Sequence, residues 1–106
     1  MAHVPFHGAD NGTVSISVSA SSQAIQVRPT GATGTFSCRV CNTGTATVWI
    51  ASGGSGITTS APSGSTVGGI PVPANAIEIM TLSGTHAAAI AVGATGSIYF
   101  TPGEGI

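Results

Sequence analysis

Two cysteines, Cys38 and Cys41 in the stretch "CRVC", are the residues of this chain whose type and spacing could do chemistry. On a tight turn such a pair binds zinc or cycles between thiol and disulfide, and a zinc site needs four ligands, usually a second pair. The only further candidates are His3, His7 and His86. The cysteines lie, however, in "TFSCRVC" (35–41), where Phe36, Cys38 and Val40 alternate with Ser37, Arg39 and Cys41. That is the period of a strand. Along a strand, residues i and i+3 sit roughly 10 Å apart on opposite faces, beyond the ~7 Å within which two Cα atoms can be joined by a disulfide. Cys38 therefore reads as a small buried apolar residue, and neither a metal site nor a redox pair is expected.

The other reactive groups are equally dispersed. Asp10, Glu78 and Glu104 fall in three separate segments and give no paired acid and base. The Ser/Gly stretches at 53–56 and 63–69 spell neither a nucleophile elbow nor a phosphate-cradling loop, whose lysine this chain lacks. His86 opens a strand and reads as a rim residue. No catalytic, cofactor or metal site is expected, and the chain is read as a non-enzyme.

The elements that position these residues are strands. Ten isoleucines and nine valines stand against a single leucine, Leu82, and β-branched side chains suit a pleated, half-buried surface. Sixteen glycines, six prolines and many Ser and Thr supply turns. Residues 1–12 show no period and read as an extended arm closed by "ADNG"; one β domain follows over 13–106. "TVSISVS" alternates cleanly, and "AIQVR" (24–28) is stopped by Pro29. After 35–41, "NTGT" reads as a hairpin-type turn into a return strand, "ATVWIA" (46–51). There Trp49 opposes Val48 and Ile50, as core of a two-sided sheet or as an exposed contact residue. Residues 52–69 form a Gly/Ser/Thr loop longer than the ~12–15 residues usual for structureless loops, so it is functional or mobile. "IPVP" leads into "AIEIMTL" (76–82), with Ile77 and Ile79 on one side and Glu78 and Met80 on the other. "HAAAIAV" (86–92) and "SIYFTP" (97–102) complete about seven short strands. The expected fold is all-β, a small β-sandwich or jelly-roll-like barrel.

Charge narrows the partners. Only 5% of residues are Asp, Glu, Lys or Arg, against about 25% in ordinary soluble domains. With no lysine and only Arg28 and Arg39, the chain cannot neutralise a row of phosphates, which argues against nucleic acid and against anionic membrane surfaces. No apolar run is long enough to span a bilayer, and the first ten residues do not form a signal peptide. Natural sheets guard their edges with charge. A chain so poor in charge is expected to have its edges covered by other chains.

"CNTGTATVWIASG", "IPVPANAIEIMTL" and "ATGSIYFTPGEGI", with "YFTPGEG" the most specific phrase, together resemble small uncharged structural proteins of tailed bacteriophages, over roughly residues 36–106. The resemblance is to capsid decoration (cement) proteins, β-rich domains on the outside of the head. It implies a virion protein made in the host cytoplasm. Its implied partners are the major capsid protein and further copies of itself, a trimer favoured over a dimer. The arm residues His3, Val4, Pro5, Phe6 and His7 are the expected clasp, with Trp49 a further partner contact. The alternative is a tail or fibre module that binds a host glycan through Trp49 and the 52–69 loop.

Overall fold

The computed structural model describes residues 7, 8, 12–93 and 95–104. Among these it has nine strands: β1 (His7–Gly8), β2 (Val14–Val18), β3 (Gln23–Gln26), β4 (Thr35–Asn42), β5 (Val48–Gly53), β6 (Ile70–Val72), β7 (Ile77–Ser83), β8 (His86–Ile90) and β9 (Gly96–Glu104). They form two antiparallel sheets. In the first, β2, β9, β4 and β7 lie side by side, and β1 pairs with the far end of β9 in line with β2. The second has the order β3-β8-β5-β6. From β2 onward the chain changes sheet at every connection except β5 to β6. This is the double Greek key of a jelly roll.

The core lies between the sheets. Ile16, Val18, Cys38, Val40, Leu82, Ile98 and Phe100 face inward from the first sheet, and Val27, Val48, Ile50, Val72, Ala87, Ala89 and Ala91 from the second. The alternation read from 14–18, 35–41 and 97–102 is thus the in–out alternation of the sandwich. Two short strands were not anticipated. β1 adds to the sheet edge, and "IPV" at 70–72 forms β6 in the second sheet. The turn Pro73–Ala76, with Asn75 at φ 58° and the Ala76 amide on the Pro73 carbonyl, carries the chain across to β7 in the first. Pro71 is tolerated because β6 is an edge.

The 42–47 region corrects the hairpin expectation. β4 pairs with β7 and β9, and β5 with β6 and β8, so "NTGT" bridges the sheets. Its organiser is Asn42, buried at the end of β4. The Asn42 Nδ2 donates to the carbonyls of Ala46 (2.9 Å), Val72 (3.0 Å) and Pro73 (3.2 Å), while Oδ1 accepts from the Gly44 amide (2.9 Å). One side chain therefore ties the β4–β5 crossing to the β6–β7 crossing. A second staple is Arg28. Its Nε donates to the Gly84 carbonyl and its Nη2 to those of Gly34 and Thr33, and its guanidinium stacks 4.2 Å above the Phe36 ring.

The 52–69 loop starts inside the second sheet. Its first two residues end β5, and the remainder folds back over the outer face of the second sheet. There the register sets Ala88 between Ala51 and the exposed Ala24. Ala88 points away from the core yet is completely buried. The strap is held by the Thr59 amide on Ser22 Oγ (3.0 Å) and by Ile57 packed on Gly53. Its return leg closes through a Ser63–Thr66 bridge and the Gly69 amide on the Ser60 carbonyl (2.8 Å). A Cβ on Gly69 would collide with the Thr59 side chain and the Ile50 carbonyl, so only glycine lets the legs approach this closely.

Candidate interaction surface

The strand reading of "CRVC" holds. Cys38 is fully buried against the core and Cys41 is half-buried on the opposite face; both are free thiols. Burial pushes the Cys38 thiol up to about 11, against a smaller lowering by a backbone hydrogen bond at Thr101. A thiol so held is protonated at neutral pH and inert as a nucleophile. Among the described residues no three His, Cys, Asp or Glu side chains gather into a metal-binding group.

What the fold does assemble is a face. On the outer side of the first sheet, one register row runs Ser15–Tyr99–Cys41–Ile77 and the next Thr101–Arg39–Ile79, with Thr13 hydrogen-bonded to Thr101 through their hydroxyls (2.8 Å). Ile77 is 54% exposed, Ile79 46% and Tyr99 37%. Serines and threonines at 15, 17, 37, 81, 83 and 97 surround them on the same side. Arg39 is the one charged side chain on this face among the described residues. The second sheet is different, since the strap crosses its outer side. The two faces of the sandwich are therefore unlike: one is crossed by the chain itself, the other is open, flat and nearly uncharged.

His3, Val4, Pro5 and Phe6 lie outside the described residues. The His7 backbone pairs with Glu104 in the first sheet. Trp49 lies on the outer side of the second sheet, half-buried and flanked by Ile90 and Pro71. It is thus neither core between the sheets nor a neighbour of the open face. The sequence did hold a signal for the residues that were missed. "AIEIMTL" is apolar at both parities, and one sheet face cannot bury both sets. Met80 and Leu82 take the core side, leaving Ile77 and Ile79 outside. Tyr99, between the buried Ile98 and Phe100, follows the same rule.

Comparisons with models of protein families, with curated proteins and with solved structures return no match.

Proposed function

We propose that this chain is a structural, non-catalytic virion protein that binds the outer surface of a phage capsid and stabilises contacts between major capsid subunits. The observation that carries the reading is the open face of the first sheet, where Tyr99, Ile77 and Ile79 stand exposed among Ser and Thr with Arg39 the single charge. Exposed apolar residues gathered within a polar rim mark an interaction site more often than singly scattered ones do. The resemblance of 36–106 to decoration proteins supplies the capsid as that partner. The arm reaches the edge of the same sheet through His7–Gly8, so a clasp built from His3, Val4, Pro5, Phe6 and His7 would extend this contact rather than make a separate one. Glycan binding through Trp49 and the 52–69 loop has less support, because Trp49 is half-buried.

The test is co-sedimentation of the purified protein with empty heads lacking it. Tyr99→Asp puts a charge at the centre of the face without touching the core. Loss of a central aromatic anchor costs about 2 kcal/mol, roughly thirtyfold in affinity. Wild-type protein that stays in the supernatant, or a Tyr99→Asp variant that sediments equally well, would sink the proposal.

A further inference from the structure

Among the described residues five strands form the sheet edges: the two-residue β1 and β2 beside β9, β7 at the other side of that sheet, and β3 and β6. β6 is three residues long with Pro71 at its centre, β3 is four residues long and displays glutamines, and β2 shows only Ser15 and Ser17 on the open face. β7 has seven residues, no proline and two exposed isoleucines. Proteins normally blunt such an edge.

The hydrogen-bond phase of β7 shows which of its groups are free. The Asn42 amide donates to the Ala76 carbonyl at 2.9 Å, which makes this a hydrogen-bonded pair continuing the β4–β7 register. Bonded and non-bonded pairs alternate along an antiparallel ladder. Glu78, Met80 and Leu82 therefore turn their backbone groups toward β4, while Ile77, Ile79, Thr81 and Ser83 turn theirs outward. The Ser83 amide accordingly leaves the ladder and donates to Ser52 Oγ at 3.1 Å. At the other end the Pro73–Ala76 turn closes the strand. The outward-facing run is thus Ile77, Ile79 and Thr81, a set symmetric about Ile79.

We propose that β7 pairs antiparallel with β7 of a second copy about a two-fold axis through Ile79. Ile79 then lies opposite Ile79 of the second copy, and Ile77 opposite Thr81 on either side, each pair exchanging two backbone hydrogen bonds. Every free group in the run is matched, and Ser83 stays with Ser52. Glu78, the only charge on the strand, meets Met80 of the second copy rather than another glutamate. The exposed isoleucines of both copies join into one apolar band. A longer foreign strand would instead run into the Ser52 cap and the Pro73–Ala76 turn, so the best-fitting occupant is the strand itself. A ring of three would require β7 to meet a different edge of the next copy, and the other edges match it poorly. The two-fold pair therefore replaces the trimer that the resemblance implies. This inference stands on edge geometry and does not rest on the capsid reading.

The experiment is the solution mass of the full chain by sedimentation velocity, with circular dichroism to verify folding. Wild type is expected at the mass of two copies. Ile79→Lys, at a half-exposed position, is expected to remain folded and fall to one. Tyr99→Lys, on β9 and two strands in from the edge, is expected to keep the mass of two. In a Cys41→Ser background, Ile79→Cys should be joined into a covalent dimer by a short bifunctional maleimide, since bonded pairs place Cα atoms about 5.5 Å apart on the same face. A wild-type mass of one or three copies would overturn the pairing. So would dissociation by Tyr99→Lys, which would mean stacked faces, or an Ile79→Cys variant that stays unlinked while wild type is dimeric.

Discussion

Single residues here divide into those that hold the fold and those that meet the outside, and the cysteines show the division three positions apart. Cys38 sits between Met80 and Pro102 in the register, with no exposure, while Cys41 faces out beside Tyr99 and Ile77. A thiol reagent at neutral pH is expected to modify Cys41 in the native protein and Cys38 only after unfolding; equal labelling by mass spectrometry would contradict this. The raised Cys38 value also fixes a pH dependence. Its pKa moves from 9.0 to about 11 on folding, so the unfolded chain loses the proton first. Its contribution is intact below pH 9 and is lost as the pH rises toward 11, by at most about 3 kcal/mol at ~1.4 kcal/mol per unit. Urea unfolding of wild type and Cys38→Ala should show that alkaline loss in the wild type alone. The parity of these cysteines was legible because it needs only a strand period. The role of Asn42 was not. In sequence it begins a turn phrase; in the fold it saturates three carbonyls from two distant crossings. Asn42→Ala leaves the Ala46 and Val72 carbonyls without that partner while the Pro73 carbonyl keeps the Ala76 amide, and a loss of about 1–3 kcal/mol is expected in the same urea measurement. A loss below about 0.5 kcal/mol would assign the crossings to the backbone alone.

At the scale of elements, the strands were legible and their partners were not. Alternation over 14–18, 35–41, 77–82 and 97–102 depends on local burial, which sequence carries. Pairing depends on which sheet the chain enters next, and in a jelly roll successive strands mostly change sheet, so sequence neighbours such as β4 and β5 never touch as a hairpin. The strap hid for a related reason. Gly, Ser and Thr look like solvent-exposed linker, yet 54–69 folds over the outer side of the second sheet, where Ala88 is completely buried outside the core. Enlarging Ala88 should lift the strap and leave the sandwich intact. Ala88→Leu is expected to cost about 1–3 kcal/mol of overpacking. In hydrogen exchange it should abolish protection of the Thr59 and Gly69 amides, which bond Ser22 Oγ and the Ser60 carbonyl, while core amides in β4 and β9 stay slow. Unchanged protection at Thr59 and Gly69 would show that the strap does not rest on Ala88.

For the molecule as a whole, the scarcity of charge sets the kind of attachment available to it. The net charge is −1 at pH 7, and of the two arginines Arg28 is engaged inside the fold by three carbonyls and the Phe36 ring. Arg39 alone remains to face a partner from the open sheet. One surface ion pair is worth about 0–1 kcal/mol and is screened over a Debye length of ~8 Å at physiological salt. Binding through this face must therefore come from apolar burial around Tyr99, Ile77 and Ile79 and from backbone and hydroxyl hydrogen bonds. These terms respond differently to different salts. Sodium chloride screens charge and should change head binding by less than about fivefold from low to high concentration, the limit set by one exposed pair. Sulfate is excluded from protein surfaces and strengthens apolar burial, so at equal ionic strength it should hold the protein on the heads more tightly. Release that climbs steeply with sodium chloride, with sulfate giving no protection, would place the contact on charged groups outside this face and detach the open sheet from the function proposed for it.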